Sequence, residues 1–301
     1  MTQHNYKAPI DTVIIPVAGL GKRMGENTKA VPKALLPMGD KPLIMHAIDE
    51  AVASGVTDII LLCRPEHKEL FDKQFPGHDT PQFMERYGHT VSVFSDPTAG
   101  GGPALCIAHF LDQAEREIGA FGVILPDDLI ISSTPALKML MPAFESTAST
   151  TIGARQTQLE HEKAHNATFV HVVARPDGSF ITETVQIKPV EDTPISEHAT
   201  CGRYIFDADF LANFQECHKG DGSEISMSAL VRHYAETEGG GVNVVPINGD
   251  TKFLDCGDPD SYARAQAHFI PMHILREVFE KANLREPPDN KPTYPEHEHT
   301  G

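Results

Sequence analysis

The chain has 301 residues, and 25 Lys and Arg against 42 Asp and Glu give a formal net charge of −17 at pH 7. That acidity excludes the diffuse basic field needed to hold nucleic acid, and it gives no attraction to an anionic membrane surface. Any anionic ligand must therefore be met by a local cluster of cations and backbone N–H groups. Hydrophobic content of 40% is enough for a sizeable core, and with no Trp that core is mostly aliphatic. No run approaches the roughly 18 apolar residues of a transmembrane helix, and residues 1–11 are polar, without a signal-peptide run. Five cysteines with no C-x-x-C pair suit reduced thiols and a cytoplasmic setting.

In chain order, residues 12–17 read as a short β-branched strand buried on both faces. The apolar spacing of 43–52 predicts a helix closed by Gly55. A second buried strand covers 58–63, a helix 66–75 and a short strand 91–94. A Gly-rich turn at 99–103 opens a helix over 104–117, and a strand at 122–125 ends in Pro126-Asp127-Asp128. Alternating strands and helices predict an α/β sheet, whose ligands lie beyond the carboxyl ends of the strands. The first Gly-rich loop, the 99–103 turn and the Asp pair all fall at that one edge. After about residue 150, stretches 168–173 and 180–187 flank the turn 176–179 and predict a hairpin. A strand at 201–206, helices at 207–215, 224–236 and 259–269, and a strand at 242–247 complete the pattern.

Ala18-Gly-Leu-Gly21 follows the first strand and invites a dinucleotide-binding reading, but Met24 stands where the G-x-G-x-x-G fingerprint needs its third Gly. No G-K-[ST] occurs here either, so the Walker A pattern fails. What remains is a Gly-rich turn followed by Lys22, Arg23, Lys29 and Lys33, a local exception in an acidic chain. Such a turn can cradle phosphate oxygens with backbone N–H groups; the plain alternative is a solvated surface loop.

The longer wording is more specific. Pro16-Val-Ala-Gly-Leu-Gly-Lys-Arg-Met24, Thr28-Lys-Ala-Val-Pro-Lys33 and Leu36-Pro-Met-Gly-Asp-Lys-Pro-Leu43 resemble the N-terminal signature of the sugar-1-phosphate nucleotidyltransferases. The wording is nearest to the bacterial UTP–glucose-1-phosphate uridylyltransferase branch. The resemblance continues at Ile124-Leu-Pro-Asp127, Lys188-Pro189, Gly202-Arg-Tyr204 and Asp255-Cys-Gly257, spanning roughly residues 12–270. It implies a Rossmann-like α/β fold: a mixed, mostly parallel central sheet flanked by helices, with a small β-rich sugar-binding portion. It implies an enzyme that condenses an NTP, UTP favoured, with a sugar 1-phosphate, glucose 1-phosphate favoured, and works as a homodimer or homotetramer. The alternative is a non-catalytic paralogue that binds nucleotide-sugar or pairs with the active enzyme. On this reading the chain divides into an arm (1–11), a nucleotidyltransferase domain (12–270), a C-terminal helix (271–285) and a mobile tail (286–301). The nucleotide-binding part of the domain covers about 12–150 and the sugar-binding part about 151–270.

By the same resemblance Arg23 grips the triphosphate, Lys33 steadies the leaving phosphates, and Lys188 lies near the sugar phosphate and α-phosphate. Asp127 and Asp255 match metal-binding acids for Mg²⁺. Ala18, Gly19, Leu20, Gly21, Ser95, Gly100 and Gly101 fall in nucleotide-binding segments, and Gly202 where the backbone approaches the sugar. Four departures stand out. Ser95 or a neighbour replaces a Gln that reads uracil, Ile187 replaces a Glu that accepts sugar hydroxyls, and His171 replaces a sugar-facing Gly. Ala34 and Lys22 replace an acidic and a small polar residue. The departures gather on base and sugar reading, while the phosphate and metal positions are kept.

Overall fold

A computed structural model of the chain describes residues 9–19, 21, 23–25, 31–98, 101–157, 167–189, 194–218, 226–237, 241–271 and 274. The first stretch contains β1 (Thr12–Pro16), β2 (Pro37–Met38), β3 (Lys41–Pro42), α1 (Leu43–Ala53) and β4 (Asp58–Cys63). It continues through α2 (Lys68–Gln74), α3 (Pro81–Tyr87), β5 (Thr90–Ser95), α4 (Pro103–Gln113), β6 (Phe121–Ile124) and β7 (Asp128–Ile131). Next come α5 (Ala136–Thr147), β8 (Thr151–Gln156), β9 (Thr168–Val170), β10 (Val173–Ala174), β11 (Phe180–Thr182), β12 (Val185–Ile187) and β13 (His198–Phe206). The described chain closes with α6 (Phe210–Cys217), α7 (Met227–Glu236), β14 (Val242–Ile247), β15 (Lys252–Asp255) and α8 (Pro259–Phe269).

One sheet in the order β10-β11-β14-β8-β13-β6-β1-β4-β5 runs through both halves of the chain. The pairs β6–β1, β1–β4 and β4–β5 are parallel, whereas β13 lies antiparallel between β6 and β8. Alternate side chains of β1 and β4 feed opposite faces, as the pleat requires. Val13, Ile15, Ile59 and Leu61 join a core with α1, α2 and α5, while Ile14, Ile60 and Leu62 join a second core with α4, α6 and α7. A buried parallel strand therefore needs a continuous apolar run, and residues 12–17 supply it. No described helix is long and apolar enough to cross a membrane.

The predicted elements of the first half hold, with shifts that have local causes. The helix expected over 104–117 stops at Gln113, because Ala114 is already extended (φ −64°, ψ 131°). The helix expected from Glu66 opens with a 3₁₀ turn, Pro65–His67, before α2. The expected hairpin is two nested pairs: β10 with β11 around the turn, and β12 back on β9. Helix α5, which the sequence pattern does not predict, carries Pro142 inside it. The predicted C-terminal helix, apart from Pro271 and Ile274, and the predicted tail lie outside the described residues.

A small third cluster, Met38, Leu43, Leu129, Cys256 and Ala265, fastens the two-stranded β7–β15 ribbon to α8. The start of α8 is a capping box: the Ser261 N–H donates to Asp258 Oδ1 at 2.9 Å, and the Asp258 N–H donates to Ser261 Oγ at 3.4 Å. Asp258→Ala is expected to cost about 1 kcal/mol, the usual worth of an N-cap. A urea midpoint equal to the unsubstituted protein's would refute that contribution.

Candidate active site

The carboxyl ends of β1, β6 and β7's ribbon partner meet at one edge. Beyond β1, Val17 donates its N–H to the Leu62 carbonyl at 2.8 Å, which holds the chain along the sheet until Ala18. Ala18 is buried, Gly19 has open space on its Cα, and Gly21 adopts φ +59°. Leu20 and Gly100, and with them Lys22 and Lys29, lie outside the described residues. Arg23 is exposed at a short 3₁₀ turn, and Lys33 opens another, Lys33–Leu35, directly after Pro32.

Lys33 and Asp127 are in contact: Nζ donates to Oδ2 at 2.6 Å. Ninety-four positions apart in sequence, they are brought together because β6 pairs parallel with β1 and both end at this edge. Burial would raise the Asp127 carboxyl. The Lys33 charge and hydrogen bond, with the Arg23 charge, outweigh it and hold Asp127 below the ordinary carboxylate value. Asp255 arrives from the other strand of the ribbon, opposite Asp128, and the Cys256 N–H donates to the Asp127 carbonyl at 2.8 Å. Asp255 Oδ1 accepts the Gly257 N–H at 2.7 Å. A Cβ on Gly257 would lie 2.8 Å from Asp255 Oδ1 and 2.9 Å from an Arg23 guanidinium nitrogen. The hydrogen at that position thus lets Arg23 and Asp255 close over the backbone. The structure brings Arg23, Lys33, Asp127 and Asp255 into one acid–base cluster.

The remaining described sequence-predicted positions fall on other segments of the chain. Gly202 adopts φ +68°, and a Cβ there would meet Asp128 Oδ2 at 2.5 Å, so Gly is required for space and for backbone alike. Lys188 is exposed after β12, with its N–H donating to the Ala167 carbonyl at 3.0 Å. Its φ of +45° is a left-handed conformation that a non-Gly residue rarely adopts, and such strain gathers at functional positions. Ile187 leans on the core beneath α7, and His171 is exposed, its N–H held by the Thr184 carbonyl at 3.1 Å. Ser95 is exposed at the end of β5, the far strand of the sheet. Gly101 lies just before α4, where a Cβ would meet the Leu105 side chain at 2.4 Å.

Sequence reasoning assigns Asp128 no role of its own, yet the structure shifts its acidity strongly. Burial, then the negative charges of Asp127 and Asp255, push it up to about 7 against the pull of Arg203 and Arg155. The folded protein therefore binds this proton more tightly than the unfolded chain, and stability falls as pH rises from about 4 to about 7. Asp128→Asn removes that fall. The metal-free variant is expected to gain on the order of 1 kcal/mol or more at pH 8, since one pKa unit is about 1.4 kcal/mol, and nothing below pH 4. Urea titrations at both pH values check it; an equal gain at the two would show that charge is not the cause.

The donor set fits a hard divalent cation. Asp127 and Asp255 offer carboxylate oxygens, and no group of three or more His, Cys, Asp or Glu able to hold a metal occurs among the described residues. Mg²⁺ commonly binds through one or two carboxylates and completes its shell with water and substrate phosphates. The adjacent cations and the glycines at 19 and 21 suit a polyphosphate chain.

Comparison with known proteins bears on the family and the fold. The family model described as "Nucleotidyl transferase" matches residues 12–270. A UTP–glucose-1-phosphate uridylyltransferase of Bacillus subtilis (strain 168) is 30% identical over 239 residues, covering 75% of this chain and 80% of that protein. UTP–glucose-1-phosphate uridylyltransferase 1 of Staphylococcus saprophyticus is 30% identical over 289 residues, covering 92% of this chain and 97% of that protein. A solved structure of UDP-glucose pyrophosphorylase complexed with UDP-glucose has a TM-score of 0.71 at 23% identity, covering 86% of this chain and 98% of its own. That likeness concerns the fold, and it agrees with the mixed helix-flanked sheet expected from the sequence. With a family model spanning β1 to the end of α8, the chain belongs to the nucleotidyl transferase family.

Proposed function

We propose that the chain condenses UTP with glucose 1-phosphate to give UDP-glucose and pyrophosphate, using Mg²⁺. The observation that carries this reading is the Lys33–Asp127 contact beside Arg23 and Asp255, in a chain 30% identical over 239 residues to a uridylyltransferase. A phosphate oxygen of the sugar 1-phosphate attacks the α-phosphorus, and the bond from that phosphorus to the bridging oxygen breaks as pyrophosphate leaves. The protein has little covalent work to do; it aligns two polyanions and offsets the charge that develops between them. Arg23 presents a planar fork to the triphosphate, Lys33 faces the leaving phosphates, and Lys188 faces the sugar phosphate. Asp127 and Asp255 would hold the Mg²⁺, which supplies further charge neutralisation when bound.

Retention of all five of these residues favours an active enzyme over a non-catalytic paralogue. Ser95, Ile187 and His171 bear on which base and sugar are preferred. Loss of an amide pair to the base is worth roughly 1–3 kcal/mol of discrimination, so the preference for UTP is expected to be weaker than an amide at 95 would give. We assign the protein to the cytoplasm, in keeping with five cysteines that form no disulfide, and to a homodimer or homotetramer. The test is pyrophosphate release across a panel of NTPs and sugar 1-phosphates with Mg²⁺. Turnover with UTP and glucose 1-phosphate among the best pairs supports the reading, and no turnover with any pair overturns it.

A further inference from the structure

Among the described residues, one of the largest fully buried side chains is a charged one, Arg203, 1% exposed in the middle of β13. Its fork is met by Glu50 of α1: Nε donates to Oε1 at 2.8 Å and Nη2 to Oε2 at 2.7 Å. Glu50 Oε1 also accepts the Leu137 N–H at 3.0 Å, at the start of α5. The third nitrogen, Nη1, faces three backbone carbonyls: Leu125 at 3.3 Å, Cys201 at 3.4 Å and Gly202 at 3.3 Å.

Those carbonyls belong to a weak place in the sheet. The register of β13 against β8 shifts between Thr200 and Tyr204, so residues 201–203 step out of that ladder. On the other side, β6 ends at Ile124, and its last link is the Leu125 N–H donating to the Gly202 carbonyl at 2.9 Å. The Leu125 carbonyl in turn accepts the Asp128 N–H at 3.3 Å. Asp127 hangs between these two bonds. An apolar pair could fill the space of Glu50 and Arg203, and such replacements of buried ion pairs are often neutral or stabilising. An apolar pair could not donate to carbonyls at the point where the ladder stops.

We propose that Arg203, oriented by Glu50, is a positioning residue for nucleotidyl transfer, clamping the seam between Leu125 and Gly202 from which Asp127 is suspended. The proposal rests on the transfer reading above. It concerns how Asp127 is held, since Arg203 itself is sealed off from solvent. Arg23 and Lys33 lie on a different segment, so the clamp bears on kcat more than on the KM for NTP.

The test compares the full-length protein with Arg203→Lys, which keeps the charge and loses the fork, and with the double variant Glu50→Leu/Arg203→Met, which removes the buried ion pair altogether. In the double variant kcat is expected to fall at least tenfold with the KM for NTP within twofold, at a thermal midpoint close to the parent's. Amide hydrogen exchange in the unliganded protein is expected to quicken at Leu125 and Asp128. A double variant with parental kcat, or with parental exchange at those amides, overturns the proposal. Should the double variant fail to fold, Arg203→Lys carries the same two readouts, and parental values in either overturn the proposal just as they would there. If the parent turns over no substrate pair, the transfer reading fails, and faster or unchanged exchange still decides for or against the clamp.

Discussion

Asp127→Asn is expected to lower kcat by about 10²–10³ while leaving the circular dichroism spectrum unchanged, the scale on which losing one preorganised electrostatic group acts. The amide keeps the shape and one acceptor oxygen of the carboxylate, so what it removes is charge. That charge is favoured by Lys33 at 2.6 Å and by Arg23, against a burial that pulls the carboxyl the other way. An acid kept charged in a half-buried position suits a cation, and the two neighbouring lysine and arginine charges suit the phosphates that the cation would bridge. The KM for NTP should change less than kcat, since Arg23 and Lys33 remain. Steady-state rates at saturating Mg²⁺ decide it: a variant turning over at the parental rate would remove Asp127 from the chemistry.

Most of this site is legible in the sequence, because its parts sit where the pattern is loudest. A β-branched run followed by Gly-x-Gly and a cation, and an apolar run followed by two acids, mark strand ends without knowledge of the sheet order. The contact between Lys33 and Asp127 is legible there only as a shared edge, since parallel pairing of β1 with β6 is a property of the whole sheet. Asp128 is harder. Its neighbour in sequence looks equivalent, and only the fold, which buries it and sets it opposite Asp255 in the ribbon, raises its proton affinity while that of Asp127 is lowered. Glu50 escapes notice because it lies on a helix whose apolar periodicity explains the helix by itself. Arg203 does leave a signal: a charged residue inside an otherwise apolar strand is almost never buried without a partner. The sequence names the need for that partner but not its address, 153 positions away.

That address predicts a large stability effect. Glu50→Ala leaves the Arg203 guanidinium buried with carbonyl acceptors only, and breaking a buried pair from one side costs about 3–5 kcal/mol. It also removes the acceptor of the Leu137 N–H at the start of α5, so two elements lose an anchor at once. For a chain of this size the thermal midpoint should fall by about 10 °C. Glu50→Gln keeps the acceptor for Leu137 and one hydrogen bond to the fork, and should lose less. If the cost lay in packing volume, alanine would still be damaging, but glutamine, nearly isosteric with Glu, would be silent. If it lies in the uncompensated charge, glutamine is intermediate and the apolar double replacement of both partners recovers most of the loss, because no charge is then left to bury. Urea midpoints for the three variants separate the two causes, and an alanine variant as stable as the parent would refute both.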